Sequence, residues 1–198
     1  VGVAVEVLCE TDFVAKTEAF KAFCDGLLGR VFADYDDDGI ISEKVTEAEQ
    51  TTLTGLIGTI GENMQVRRTA RWTGDNTLAS YIHMNGNIGV MIEVEGESDD
   101  ELLHNICLHI AAFNPRYITP EEVSESVLEK EREIAAAQAE GKPENIIDKI
   151  VMGKINKWYS EVCLARQPWI RDDKTSLAKI APKMTVKRFI RWQVGEEL

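Results

Sequence analysis

The sequence predicts an α+β fold: two related subdomains, each an antiparallel sheet with helices, and an antiparallel helical hairpin inserted in the second. Three observations lead there. Some segments alternate apolar and polar residues with a period of two, and others repeat apolar residues at helical spacing. The two kinds come in blocks rather than in strict alternation, the mark of segregated helices and strands. A short basic motif also recurs near the end of the chain.

Val1, Val3, Val5, Val7 and Cys9 alternate with Gly2, Ala4, Glu6, Leu8 and Glu10, predicting a strand with one strongly apolar face. Phe20, Phe23, Cys24, Leu27, Leu28 and Val31 then fall at helical spacing. The acidic loop Asp34-Tyr35-Asp36-Asp37-Asp38-Gly39 follows, and a second helix runs from about Ser42 to Ile60, stopping near Gly61. Met64, Val66, Arg68, Ala70 and Trp72 alternate with Gln65, Arg67, Thr69 and Arg71, which predicts a strand with those five on one face. Strands over 78–84 and 88–95 flank Asn85-Gly86-Asn87, residues that tolerate the positive φ of tight hairpin turns. These elements make up a first subdomain over 1–97.

The second subdomain is expected over 98–198. Ser98-Asp99-Asp100-Glu101 reads as a capping box ahead of the stripe Leu103, Ile106, Cys107 and Ile110. Asn114-Pro115 ends that helix, because the residue before proline is pushed out of helical geometry. Thr119 as cap, Pro120 at the first helical position and Glu122 closing the box predict a helix running to Gly141. After Gly141-Lys142-Pro143, a partner helix carries Ile146, Ile147, Ile150, Val151, Ile155 and Trp158. So short a link makes the pair an antiparallel insertion at about 120–164. A short helix near Ser176 to Ile180 and a strand over 186–194 complete the chain. Residues 66–72 and 186–192 share the pattern Val-basic-Arg-x-x-Arg-Trp, which suggests two related halves.

Hydrophobic residues at 44% and charged residues at 28% are ordinary for a globular protein. A chain of this size buries roughly 70% of its unfolded surface and needs no disulfide or metal to fold. The net charge of −12 opposes phosphate backbones, so protein partners are expected and direct nucleic-acid binding is not. The four cysteines form no CxxC pair and read as reduced cytosolic thiols. No apolar run has the length of a membrane span, and no signal peptide is visible. A cytoplasmic location is predicted, or an organellar matrix if a transit peptide has been removed. The first residue is Val, so residues ahead of it are expected.

Motifs for chemistry are sparse. Asp34, Asp36, Asp38 and Gly39 match the opening of a calcium loop, with Ile41 in its hydrophobic slot. Its twelfth position, which should be a bidentate Glu, is Val45, and Glu43 and Glu47 stand at the wrong offsets, so no metal site is assigned. His104 and His109, five residues apart on one helix, point about 140° apart and do not converge as ligands; His83 lies on a strand. Gly55, Gly58 and Gly61 lack the Lys and Ser/Thr of a phosphate loop. The tetrapeptide Gly58-Thr59-Ile60-Gly61 lacks the flanking basic residues of an RNA-clamping loop. No cofactor is expected. The stretch from Cys9 to Lys16 reads as a strand end, a polar turn and a helix start, with Thr11 or Asp12 as cap and Phe13 in the first turn. Phe13 is either core packing, the usual fate of a Phe, or an exposed contact.

Val5-Glu6-Val7-Leu8-Cys9-Glu10-Thr11-Asp12-Phe13-Val14-Ala15-Lys16 resembles the signature of the elongation factor Ts family, V-E-V-N-C-E-T-D-F-V-A-K, departing only at Leu8. Further resemblances follow in order: Gly61-Glu62-Asn63 before Val66-Arg67-Arg68, Ile88-Gly89-Val90, His109-Ile110-Ala111-Ala112 with Asn114-Pro115, Gly141-Lys142-Pro143, Gln167-Pro168-Trp169, Asp173-Lys174-Thr175 and Gly195-Glu196-Glu197. They span nearly the whole chain. The resemblance implies a guanine-nucleotide exchange factor, not an enzyme, that binds GDP-bound and nucleotide-free elongation factor Tu and promotes GDP release. It also implies the two core subdomains with their hairpin, and a three-helix domain that would precede Val1. Asp12 and Phe13, with Thr11 and Val14, would approach the partner's nucleotide pocket, the Phe wedging between helices of the G domain. Ile88, Gly89 and His109 would lie at the same interface. A second copy of the chain is a further candidate partner. The alternative is a homologue that binds or stabilises elongation factor Tu without exchange.

Overall fold

The period-two and helical segments settle into the order β1 (Gly2–Cys9), α1 (Asp12–Ala15), α2 (Glu18–Asp34), β2 (Gly39–Ile40), α3 (Ser42–Ile60), β3 (Met64–Trp72), β4 (Thr77–His83), β5 (Ile88–Gly96), α4 (Asp100–Phe113), α5 (Glu125–Ala137), α6 (Glu144–Val162), α7 (Leu177–Ile180) and β6 (Met184–Gln193). The computed structural model describes residues 1–139, 141 and 143–197. Among them the strands form two three-stranded sheets, ordered β1-β3-β2 and β4-β5-β6. The fold is α+β, as the blocked order of elements predicts. Val1–Glu93 together with the residues from Phe189 onward form one compact unit, and Val94–Arg188 form another.

In the first unit, β1 pairs antiparallel with β3, but the register slips between Glu6 and Val7, which face Arg68 and Val66 and leave Arg67 as an extra residue. An inserted residue turns every later side chain to the opposite face of the sheet. Met64 and Val66 therefore pack with Phe20, Phe23, Leu27, Val31, Val45 and Leu53 of α2 and α3. Ala70 and Trp72 instead join Met91, Leu78, Ile190 and Trp192 in a second cluster. The single face expected over 64–72 is thus divided between two cores.

The bulge has an electrostatic counterpart. Arg67 and Arg68, consecutive in sequence, both reach Glu6, which the alternation placed on the polar face of its strand and which is only 4% exposed. The backbone N–H of Gly195 donates to the same carboxylate at 3.0 Å, and Arg68 Nη1 donates to Glu196 at 2.7 Å. Trp192 stacks its ring 4.9 Å from the Arg68 guanidinium. A buried, fully paired charge network of this kind ties the last residues of the chain to its first strand.

The acidic loop is structural. Asp37 pairs with Lys44 at 2.6 Å, Asp38 accepts from the Thr73 N–H at 2.8 Å, and Gly39 and Ile40 form the short strand β2 against β3. Val45, at the calcium loop's twelfth position, is 0% exposed and points into the core. No group of His, Cys, Asp or Glu converges as a metal site among the described residues.

In the second unit, α4 is capped by Asp99, whose carboxylate accepts from the Leu102 N–H at 2.7 Å, one residue later than the expected Ser98. The helix expected from Thr119 to Gly141 is broken. Pro120–Glu122 is a single 3₁₀ turn, and Glu122 bends back to accept from the Ile118 N–H at 2.7 Å. Val123 is extended, and α5 starts afresh after Ser124 and ends at Ala137. α5 packs against α6 as a hairpin with Leu128, Ala135 and Ile155 buried; Lys142, in the link, lies outside the described residues. Both copies of the recurring basic motif are strands. Residues 66–72 lie on the middle strand of one sheet and 186–192 on an outer strand of the other, so the match is of strand type and not of sheet position. No helix among the described residues is long and apolar enough to cross a membrane.

Candidate partner-binding site

Thr11 leaves β1 in extended geometry and caps α1, its hydroxyl accepting from the Val14 N–H at 3.3 Å. The helix lasts one turn, because Thr17 immediately caps α2 by accepting from the Phe20 N–H at 3.2 Å. The Thr17 hydroxyl also donates to the Val14 carbonyl at 2.8 Å, joining the two helices end to end. Val14 is the inward residue of this turn and belongs to the core formed by α2, α3 and β3. Successive residues of a helix point about 100° apart, so anchoring Val14 turns Phe13 outward. Phe13 is 78% exposed. Burying a Phe side chain is worth roughly 1.5–3 kcal/mol, and the fold does not collect it here.

Asp12 stands beside it, exposed, with Lys16 Nζ at 2.6 Å. The Lys16 hydrogen bond and charge hold the Asp12 carboxyl below its usual range, so it is ionised at neutral pH. Lys16 Nζ also lies 6.0 Å from the centre of the Phe13 ring. The turn therefore presents an apolar ring and a carboxylate side by side. Beneath it, the N–H and hydroxyl of Thr11 donate to Glu62 at 3.1 and 2.8 Å. The Cys9 thiol donates to the Thr11 carbonyl at 3.3 Å, and burial, then the charge of Glu62, push its pKa up.

Ile88 opens β5 and is 8% exposed, so it is core rather than surface. Gly89 is half-buried, and a Cβ built there would meet Ile82 Cδ1 at an ordinary 3.6 Å. Neither is brought to the Thr11–Val14 turn by any described contact.

His109 belongs to the second unit and is 0% exposed. Its ring stacks on Phe113 at 4.7 Å and on Trp169 at 5.1 Å. The Gln167 amide donates to the carbonyls of Phe113 and Glu161 at 3.3 and 2.8 Å, which turns its oxygen toward His109 Nε2 at 2.9 Å. His109 thus carries its proton on Nε2, and its Nδ1 is buried without a partner. Burial lowers its pKa, only partly offset by the Gln167 bond. What reaches the surface is the ring of Phe113, which sequence reasoning passed over although it lies one helical turn from His109.

With this geometry in place, the family model described as "Elongation factor TS" matches residues 10–196. Elongation factor Ts of Clostridium botulinum strain Alaska E43 / Type E3 is 42% identical, over 98% of this chain and 71% of that protein. Elongation factor Ts of Halothermothrix orenii is 38% identical, over 98% and 70%, and that of Protochlamydia amoebophila 36% identical, over 97% and 74%. The chain belongs to the elongation factor Ts family, and with it to the elongation factors of protein biosynthesis.

Proposed function

We propose that the chain binds elongation factor Tu and promotes release of its GDP, a non-covalent exchange in which no bond of the nucleotide is broken. The observation that carries this reading is Phe13, a ring left outside the core on a one-turn helix held at its start by the Thr11–Glu62 bonds and at its end by the Thr17–Val14 bond. A rigid apolar wedge loses little conformational freedom on docking, so its contact energy is available to deform the partner. The Asp12 carboxylate beside it, paired with Lys16 in the free chain, is the polar group that the turn brings to the magnesium and phosphate contacts of the partner. Thr11 and Val14 hold the turn. Ile88 and Gly89 in the first unit and His109 in the second each support partner contacts within their own unit, His109 by backing the ring of Phe113.

Exchange of this kind is a coupling free energy. A factor that binds the nucleotide-free partner more tightly than the GDP-bound partner must weaken GDP binding by the same ratio. The test is a pair of titrations of the chain against nucleotide-free and GDP-loaded elongation factor Tu. The nucleotide-free form should bind at least about tenfold more tightly, within the usual range of coupling. Equal affinities would identify a binder or stabiliser without exchange, and no binding to either form would end the proposal.

A further inference from the structure

We infer that Glu62 is the positioning residue of the Asp12–Phe13 turn, its carboxylate gripping both donors of Thr11 so that the wedge is held in register. The inference rests on the proposed role of Phe13 and names what enforces it. A helix of four residues is far too short to persist by its own hydrogen bonds, so its geometry must come from outside. Thr11 is where that geometry is set. Its hydroxyl donates to Glu62 Oε1 at 2.8 Å, which leaves a lone pair aimed at the Val14 N–H, and its backbone N–H donates to Glu62 Oε2 at 3.1 Å. Two bonds to one carboxylate fix both the backbone and the side-chain torsion of the cap, and bonds to an ionised acceptor are roughly twice as strong as neutral ones.

The delivery of Glu62 is equally defined. Gly61 closes α3 at φ 84 with its N–H on the Ile57 carbonyl at 2.8 Å, a left-handed geometry that glycine adopts without strain. The chain then turns so that Met64 pairs with Cys9 at the end of β1, and Asn63 Nδ2 donates to Glu10 at 2.6 Å. Glu62 and Asn63 together hold residues 11 and 10 just past the last rung of the β1–β3 ladder. The Gly61-Glu62-Asn63 run thus gains a purpose that a helix cap alone does not explain.

The experiment uses the full chain and fluorescent mant-GDP released from elongation factor Tu at saturating factor, with Glu62→Ala, Glu62→Gln, Phe13→Ala and the double variant Glu62→Ala/Phe13→Ala. Thermal unfolding normalises each rate to folded protein. The expected result is a saturated release rate about tenfold lower for Glu62→Ala and about threefold lower for Glu62→Gln, whose amide keeps one acceptor for the two donors. The double variant should match Phe13→Ala alone, since a clamp has nothing left to position once the ring is gone. If Glu62→Ala does not fold, Glu62→Gln alone and combined with Phe13→Ala carries the same comparison. Phe13→Ala slow but Glu62→Ala at the wild-type rate per folded molecule, or losses that multiply in the double variant, would overturn the clamp and leave the wedge standing. Phe13→Ala at the wild-type rate would overturn the wedge reading itself, and the clamp with it.

Discussion

Replacing Glu6 with Ala should destabilise the first unit more than any exposed ion pair could. Glu6 is buried and takes hydrogen bonds from Arg67, Arg68 and the Gly195 N–H. Removing one member of a buried, hydrogen-bonded ion pair costs about 3–5 kcal/mol, because the surviving charge keeps its desolvation penalty. Here Arg68 retains Glu196 at 2.7 Å and the Gln193 carbonyl at 3.1 Å, which puts the cost at the lower end, about 3 kcal/mol. At about 2–4 °C per kcal/mol for a chain of this length, the melting temperature should fall by roughly 6–12 °C. Differential scanning calorimetry at neutral pH measures this directly. The paired replacement Glu6→Leu with Arg68→Met should cost clearly less than the two single changes added together, because neither change then strands the other's charge, while Arg67 keeps the Glu196 carbonyl and Glu196 keeps Arg191 at 3.8 Å. A fall of under about 2 °C for Glu6→Ala, or full additivity in the pair, would refute the view that this network is satisfied only as a whole.

The buried His109 makes stability pH-dependent: its folded pKa is lowered, so the unfolded chain binds the proton first, and its contribution is complete above about pH 6.5 and lost as pH falls below that value. Thermal melts between pH 7.5 and pH 5 should show that slope, up to about 1.4 kcal/mol per pH unit, and His109→Gln should flatten it. Calorimetric titration with calcium should give no binding tighter than about millimolar, and Asp36→Ala should leave the trace unchanged, because the twelfth loop position is a core valine.

The parts of the fold readable from sequence are those set by short-range chemistry. The α3 helix spans Ser42 to Ile60 and stops at Gly61 as expected, and Asn85 and Gly86 take positive φ in the β4–β5 turn as expected, although Met84 (φ 51) joins them and Asn87 (φ −71) does not. Thr11 caps α1 because a hydroxyl three residues ahead of an amide is a local device. What stayed hidden depends on partners far along the chain. The bulge at Arg67 leaves the alternation of residues 64–72 intact on paper and appears only once β1 pairs with β3. Glu6 is held in its buried position by Arg67, Arg68 and the Gly195 N–H, which no local pattern announces. β2 is two residues long, below any periodicity. The break at Val123 turns on one choice, Glu122 taking the Ile118 N–H instead of completing a helix.

The candidate site divides in the same way. Resemblance pointed to Thr11, Asp12, Phe13 and Val14, and the structure gathers them in one turn with Phe13 outward and Val14 inward. Composition could not decide between a buried and an exposed Phe, since the choice depends on which neighbour the core claims. His109 looked like a surface contact only while Gln167 and Trp169, more than fifty residues away, were out of view.

The most direct test of the account is Phe13→Ala, measured for both stability and stimulated GDP release from elongation factor Tu. An exposed ring contributes little to the core, so the melting temperature should move by no more than about 2 °C. Release at saturating factor should slow by about one to two orders of magnitude, the equivalent of roughly 1.4–2.8 kcal/mol of differential binding. A melting temperature lowered by the several degrees of a core cavity, with release per folded molecule unchanged, would contradict it and return Phe13 to packing.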